Sequence, residues 1–150
     1  MEKARILIVD DTPDILRTLE LLLQSKYEII LAQDGLIGFA KAIKYLPDLV
    51  VLDIMMPKMT GYQFFDQFKK QPSLNDIPIV FLSAKGTPLE QDYGIKKGAS
   101  AYLAKPFDPK ELLVTIENLL KCNPRINKNK MPYEQVLIEE AKEKKVSWKG

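Results

Sequence analysis

The chain has 150 residues and a formal net charge of +2, so it is long enough for one domain with a hydrophobic core and a small appendage. It contains one cysteine, Cys122, and no histidine, which excludes an internal disulfide framework, a Ser-His hydrolase, a histidine-ligated zinc site and a phosphohistidine donor. The first residues lack the pattern of a signal peptide and no apolar run approaches the length of a membrane span, so we expect a cytoplasmic protein without membrane contacts.

Short apolar runs alternate with segments of helical spacing along most of the chain. The runs predict strands at 5–9, 27–32, 49–52, 77–83 and 101–104, and the spacing predicts helices near 13–23, 36–45, 62–70, 88–97 and 109–121. The helical segment near 88–97 has the weakest pattern, so we expect it to be the least rigid helix. Alternating strands and helices favour a doubly wound, five-stranded parallel sheet with right-handed crossovers and helices on both faces.

Polar side chains lie at the ends of four of the predicted strands. Asp10 and Asp11 follow the first strand and Asp53 follows the third. Ser83 lies at the end of the fourth strand and Lys105 at the end of the fifth. Because the carboxyl ends of parallel strands share one edge of a sheet, where α/β proteins bind ligands, we expect these side chains to converge. Taken singly, each has an ordinary alternative role, such as a helix cap, a turn serine or a surface lysine.

Three converging carboxylates repel one another unless a cation lies among them. Because imidazole and thiolate ligands are not available at these positions, the site favours a hard cation. Mg²⁺ suits a few carboxylates together with phosphate oxygen and water, and Mn²⁺ could substitute. A carboxylate can attack phosphorus to form an acyl phosphate while metal and lysine neutralise the transferring oxygens. The sequence therefore predicts a magnesium-phosphate site.

Four motifs carry a resemblance to a known family. The segments ILIVDDTPDI, PDLVVLDIMMPKMTG, IPIVFLSA and GASAYLAKPF resemble the receiver domain of bacterial two-component response regulators, over about residues 4–121. The resemblance implies the strand order 2-1-3-4-5 and makes Asp53 the phosphoacceptor, with phosphate supplied by a sensor histidine kinase or a histidine phosphotransfer protein. It also implies that Asp11, Asp53 and the backbone carbonyl of Met55 ligate Mg²⁺ directly, whereas Asp10 acts mainly through water.

The resemblance also implies roles for residues that follow the fourth and fifth strands. Lys105 and Ser83 would bind the phosphoryl group, and the peptide bond before Pro106 would be cis. Ser83 resembles the switch hydroxyl, and Tyr102 resembles the switch aromatic that swings inward when that hydroxyl moves. The readout surface would be the fourth helix, fifth strand and fifth helix, which contact a downstream protein or a second copy of the chain. Met55 flanks the site, and we hypothesise that its apolar side chain hinders the attacking water and prolongs the phosphorylated state.

Two other classes of protein share parts of this pattern. A Mg²⁺-dependent phosphatase with an aspartyl-phosphate intermediate typically has a second aspartate two residues after the nucleophile, where this chain has Met55. A flavodoxin-like module needs a phosphate loop rich in glycine and hydroxyl groups after the first strand, and the sequence DDTPD is its electrostatic opposite. We therefore expect a signalling switch that catalyses only its own phosphoryl transfer and dephosphorylation, and not an enzyme with an outside product.

Residues 122–150 lie outside the resemblance and are predicted to extend a domain at 1–121. This extension carries seven basic and four acidic residues, net +3, whereas residues 1–121 carry fifteen and sixteen, net −1. It is predicted to contain a basic linker and then an amphipathic helix from Pro132 to about 145. On this helix Tyr133, Leu137 and Ala141 are spaced by four, with Val136 and Ile138 beside them, and together they form one apolar face.

Three interpretations of the extension stay open at this point. It could be a sixth helix that docks on its own domain or on a dimer partner, or a connector to an output domain beyond Gly150. It could also bind nucleic acid, but we consider this unlikely for the chain alone because it has no helix-turn-helix pattern and no dense cation cluster.

Overall fold

The computed structural model describes residues 3–122 and 130–148, and for 144–148 it describes the backbone only. The predicted basic linker lies mostly at 123–129, outside the described residues. The described part of the chain forms five strands and six helices in alternation. The strands are β1 Arg5–Val9, β2 Glu28–Ala32, β3 Leu49–Leu52, β4 Ile79–Ser83 and β5 Ala101–Ala104, and the helices are α1 Pro13–Leu23, α2 Gly35–Tyr45, α3 Gly61–Lys70, α4 Pro88–Lys97, α5 Pro109–Cys122 and α6 Tyr133–Trp148.

All five strands form one parallel sheet in the order β2-β1-β3-β4-β5, which confirms the predicted fold. In the register, Val9 lies opposite Leu52 and Ser83 lies opposite Ala104. The residues that follow these positions therefore leave the sheet at the same carboxyl edge. Every residue of β1, β3 and β4 is buried, as expected for strands that are covered by helices on both faces.

The helices cover the two faces of the sheet with separate hydrophobic clusters. Helices α1 and α5 pack against one face, where Leu16, Leu19 and Leu112 are buried against β1, β3 and β4. The aromatic residues of α3 pack against the other face, and Phe64 and Phe68 are fully buried there. These aromatic side chains therefore belong to the hydrophobic core. Helices thus pack against both faces of the sheet whose carboxyl edge carries the polar residues.

Helix α4 contributes little to either cluster. Among its residues, all of which are described, only Gly94 is buried. Its apolar side chains point largely to solvent, with Leu89 79% exposed and Tyr93 55% exposed. The expectation that α4 is the least rigid helix stays a prediction, and its sparse burial supports it.

Helix α6 packs against the free edge of the sheet, at β2 and α2. The Tyr133 hydroxyl accepts a hydrogen bond from the Ile29 N–H (3.2 Å) and donates one to the Ile29 carbonyl (3.0 Å). Lys41 of α2 pairs with Glu140 (2.8 Å), and Val136 is buried in the cluster on the α3 face. The helix thereby satisfies backbone groups that an edge strand would otherwise expose.

The segment before α6 closes over a buried arginine at the start of β1. Arg5 is completely buried and pairs with Glu28 (3.0 Å), and its guanidinium also donates to the Met131 carbonyl. Lys130 pairs with the buried Asp48 (3.0 Å). The extension is thus docked on its own domain at the amino-terminal ends of the strands, opposite to the edge that carries Asp53.

Part of the apolar face expected for α6 packs against the domain. Tyr133 and Val136 pack as expected, whereas Leu137 and Ile138, expected on the same face, are 52% and 50% exposed. The docking surface has both apolar and polar parts. Val136 enters the hydrophobic cluster, while Tyr133 and Glu140 contact the Ile29 backbone groups and the Lys41 ammonium group.

No helix of the described residues is both long and apolar enough to cross a bilayer.

Candidate metal centre at the carboxyl edge of the sheet

Three carboxylates converge where β1 and β3 end. Asp10 and Asp11 directly follow β1, and Asp53 directly follows β3. One oxygen atom from each of them lies within 4.8 Å of the others. Asp10 and Asp53 are buried, at 2% and 4% exposure, whereas Asp11 is exposed. The cluster therefore has two fixed carboxylates behind one that faces solvent.

Backbone groups hold the two buried carboxylates in place. The Thr12 N–H donates to Asp10 Oδ1 (2.9 Å), and the Met55 N–H donates to Asp53 Oδ1 (3.2 Å). The loop after Asp53 turns back on itself, because the Gly61 N–H donates to the Ile54 carbonyl (2.9 Å). A Cβ atom on Gly61 would lie 2.5 Å from the Asp53 carbonyl oxygen, so this close return requires glycine.

Lys105 brings a positive charge to the same cluster from the end of β5. Its Nζ lies 2.6 Å from Asp10 Oδ2 and 3.5 Å from Asp53 Oδ2. Its backbone N–H donates to the Ser83 carbonyl (2.9 Å), which ties the exit of β5 to the end of β4. The Lys105–Pro106 peptide bond is cis.

Burial dominates the electrostatics of Asp53. Desolvation raises the pKa of the Asp53 carboxyl, and the neighbouring Asp10 raises it further. Lys105 and the Met55 N–H lower this pKa, but they do not cancel the first two effects. Ionised Asp53 therefore lowers the stability of the folded protein, and a bound cation would reduce this destabilisation.

Ser83 and Tyr102 lie beside the cluster on β4 and β5. Ser83 is completely buried, and its Oγ accepts a hydrogen bond from the Lys85 N–H (3.2 Å). Tyr102 is 6% exposed, and its hydroxyl donates to the Lys85 carbonyl. Burial raises the pKa of the Tyr102 hydroxyl, and its interaction with Ser83 lowers it. The Tyr102 ring is therefore inward in this structure, but its hydroxyl contacts a backbone group and not the carboxylates.

A cavity of about 380 Å³ lies beside Asp11, the solvent-facing member of the carboxylate cluster. Met55 is 52% exposed at this cavity. The Tyr62 hydroxyl is buried there without a hydrogen-bond partner in the described part of the chain, and burial raises its pKa to about 12. Sequence reasoning missed Tyr62, because its position depends on the path of the loop between Asp53 and Gly61. The lining residues are Asp11, Ile54, Met55, Met56, Pro57, Thr60, Tyr62 and Lys85.

Known proteins share this fold and this edge. A sequence model of the response regulator receiver domain matches residues 6–117 of the chain. The chain belongs to this family. The resemblance seen in the sequence is thereby confirmed. The family places the chain in two-component signalling. Response regulators are signalling proteins and not conventional enzymes.

Receiver domains of known regulators give the extent of the similarity. The chain is 37% identical to the DNA-binding dual master transcriptional regulator RpaA of Synechocystis over 123 residues, which are 81% of this chain and 51% of that protein. It is 35% identical to response regulator Rre1 of Synechocystis over 121 residues, which are 79% and 52%. The chain thus spans about half the length of these curated relatives.

Solved receiver structures show the same architecture. The chemotaxis response regulator CheY4 of Vibrio cholerae superimposes with a TM-score of 0.74 at 35% identity, over 79% of this chain and 100% of that one. Helix α6 lies beyond the residues matched by the family model, which end at 117.

Proposed function

We propose that the protein is a phosphorylation-dependent switch in which Asp53 accepts a phosphoryl group from a phosphohistidine. The donor would be a sensor histidine kinase or a histidine phosphotransfer protein. The observation that carries this proposal is the position of Asp53, which is buried with two further carboxylates within 4.8 Å and a lysine at 3.5 Å. Buried carboxylates this close together repel one another, so the arrangement is costly unless a cation lies among them.

The residues present fit a divalent cation. Asp11, Asp53 and the Met55 backbone carbonyl would hold Mg²⁺ directly, and Asp10 would act mainly through water, with Mn²⁺ as a possible substitute. The fit rests on the donor set, which consists of oxygen ligands only. Burial and then the neighbouring Asp10 raise the pKa of Asp53, and a bound cation would favour its ionised form. When bound, the ion would neutralise negative charge on the transferring phosphoryl oxygens.

The side chains of the domain would perform the transfer itself. An Asp53 oxygen attacks phosphorus as the nitrogen–phosphorus bond of the phosphohistidine breaks, and the donor imidazole leaves with the bonding electron pair and takes up a proton. The Met55 N–H orients the Asp53 carboxylate (3.2 Å). Lys105 is near enough to turn from Asp10 to a new phosphoryl oxygen on Asp53. The reaction is therefore the protein's own modification, with slow hydrolysis of the acyl phosphate as the return step.

The switch would act through Ser83 and Tyr102. A phosphoryl oxygen on Asp53 offers a new acceptor to the Ser83 hydroxyl and favours the loop arrangement in which they bond. Tyr102 contacts the same loop through the Lys85 carbonyl, so its position depends on that arrangement. The readout face would be α4, β5 and α5, where Leu89, Tyr93, Ile95 and Val114 are exposed. The partner would be a downstream protein or a second copy of the chain.

The domain division and the context of the chain belong to the same proposal. Residues 1–121 form the receiver domain and residues 122–150 the extension, in a cytoplasmic protein. RpaA is named as a DNA-binding regulator and is about twice as long as its matched segment. A longer regulator, with an output domain beyond Gly150, is therefore the second candidate context for this receiver.

The proposal is tested by intact mass after incubation with acetyl phosphate and Mg²⁺. We expect one added phosphate on the wild type, stable in acid and lost in mild base, and none on Asp53→Asn. Addition at another residue, shown by the same mass gain on Asp53→Asn, would contradict the proposal. The absence of any addition, when Mg²⁺ binding is intact and a histidine kinase is also supplied, would contradict it as well.

A further inference from the structure

The Tyr102 ring lies inside the protein, against β4 and α4. Its centroid is 5.9 Å from that of Phe81, and its hydroxyl donates to the Lys85 carbonyl. Only 6% of Tyr102 is exposed. The inward position therefore requires room between the sheet and α4.

Gly94 is the residue of α4 that faces this ring. A Cβ atom on Gly94 would lie 2.6 Å from Cδ2 and 3.0 Å from Cε2 of Tyr102, and 3.4 Å from Cδ2 of Phe81. Carbon atoms in contact are about 3.5–4.0 Å apart. A methyl group at this position is therefore incompatible with the present positions of the helix and the ring.

No other feature of α4 requires a glycine at this position. Gly94 lies in the helix interior, where glycine is the least favourable residue after proline. Its backbone does not adopt the positive φ that favours glycine, which among the described glycines occurs at Gly98. The glycine therefore lowers the stability of the helix and leaves space for the Tyr102 ring.

We infer that Gly94 is a positioning residue of the switch, because its missing side chain admits the Tyr102 ring to the inward position beside Ser83. The inference rests on the proposed function in one respect, which is the link between that ring position and phosphorylation of Asp53. A larger residue at position 94 shifts Tyr102 toward an outward position. A phosphoryl group on Asp53 then has to overcome this shift.

The ring position can be measured without any phosphate. We would record NOEs between the ring protons of Tyr102 and Phe81 in the wild type, Gly94→Ala and Gly38→Ala. Gly38 is a matched control, since it is a helical glycine of α2 whose added Cβ would lie 2.8 Å from Val9 Cγ2. We expect the contact to be lost in Gly94→Ala and kept in Gly38→Ala. Retention of the contact in Gly94→Ala would overturn the inference.

A second measurement separates positioning from helix stability. In a Tyr102→Ala background the ring is absent, so Gly94→Ala should raise Tm because alanine is the better helix former. In the wild-type background the same substitution should lower Tm or leave it unchanged. An equal loss of Tm in both backgrounds would show that Gly94 serves packing unrelated to Tyr102, and the inference would be wrong.

The link to Asp53 is tested with beryllofluoride, a phosphoryl mimic, in the presence of Mg²⁺. We expect Gly94→Ala to weaken binding about fivefold or more, the lower end of ordinary coupling between two sites, and to have no such effect in the Tyr102→Ala background. Equal affinity of wild type and Gly94→Ala would refute the link. If the wild type itself does not bind beryllofluoride, the proposed function fails, whereas the NOE measurement still decides the role of Gly94.

Discussion

Lys105 lies closer to Asp10 than to Asp53, with Nζ–Oδ2 distances of 2.6 Å and 3.5 Å. Both carboxylates are buried, and Lys105 itself is mostly covered. The lysine therefore supplies the positive charge that the cluster needs in the absence of a cation. A metal ion and the Lys105 ammonium group are expected to compete for the same negative charge.

Replacing this lysine should destabilise the metal-free protein and strengthen metal binding. Lys105→Met leaves Asp10 buried and unpaired, so we expect the free energy of unfolding to fall by about 3 kcal/mol. Saturating Mg²⁺ should recover much of this loss, and the variant should bind Mg²⁺ more tightly than the wild type. Urea unfolding with EDTA or with Mg²⁺, together with calorimetric titration, measures both effects.

The control for this prediction is a lysine in a more exposed pair. Lys97 lies 2.7 Å from Asp66, which is 51% exposed. Lys97→Met should change the free energy of unfolding by about 0.5 kcal/mol or less, with or without Mg²⁺. If Mg²⁺ stabilises the wild type and Lys105→Met to the same extent, the proposed competition is wrong.

The raised pKa of Asp53 predicts a pH-dependent effect of its removal. In the folded protein Asp53 binds its proton more tightly than in the unfolded chain, so its ionisation lowers stability as the pH rises through the folded-state pKa. Without metal, Asp53→Asn should therefore be more stable than the wild type at pH 7, by about 1 kcal/mol or about 3 °C in Tm. The difference should vanish only well below pH 3.8, the ordinary pKa of an aspartate, where the carboxyl group is protonated in both states.

Melting curves with EDTA across this pH range provide the measurement. Asp92→Asn, at a solvent-exposed aspartate of α4, is the control and should show no comparable pH-dependent gain. Mg²⁺ should reverse the order at pH 7, because the wild type alone keeps the complete carboxylate cluster. A variant less stable than the wild type at pH 7 in EDTA would contradict the cost assigned to the Asp53 carboxylate.

The positions of Asp53 and Lys105 could be predicted from the sequence because each residue directly follows a strand. Apolar runs define the strands, and parallel strands deliver the residues that follow them to one edge. For Tyr102 an inward position was implied only by the family resemblance, because the space for its ring depends on how closely α4 approaches β5 at Gly94. Spacing along one element does not report a distance between two elements.

Met55 should control the lifetime of the phosphorylated protein. Its side chain is apolar and half exposed at the mouth of the cavity beside Asp53, where a water molecule would have to approach the phosphoryl group. Met55→Asn replaces it with a group that can hydrogen-bond that water, so the rate of phosphate loss should rise about tenfold, which corresponds to about 1.4 kcal/mol. The rate is measured as the loss of radiolabelled phosphate after removal of the donor.

The control for this prediction is Leu21→Asn, at a residue of nearly equal exposure on α1, which should leave the rate unchanged. An unchanged rate in Met55→Asn would refute the hypothesis.

Apolar periodicity predicts only part of the contact that α6 makes. The expected apolar face included Tyr133, Val136 and Leu137, but the structure buries Val136 and leaves Leu137 exposed. The Ile29 backbone groups and the Lys41 ammonium group add hydrogen bonds and an ion pair to the burial of Val136. These polar contacts depend on the position of β2 at the edge of the sheet, which the sequence of α6 does not indicate.

Substitutions on the two faces of α6 distinguish these arrangements. Val136→Ala removes two buried methyl groups and should lower the free energy of unfolding by about 2 kcal/mol. Tyr133→Phe should lower it by about 1–2 kcal/mol, because the Ile29 backbone groups lose their hydrogen-bond partner. Leu137→Ala is the matched control and should cost about 0.5 kcal/mol or less, since that side chain already faces solvent. Urea unfolding of the full chain measures all three. A larger effect for Leu137→Ala than for Val136→Ala would mean that α6 docks through the Leu137 side of its apolar face and contradict the arrangement seen here. Equal, negligible effects would mean that α6 does not stabilise the receiver domain at all.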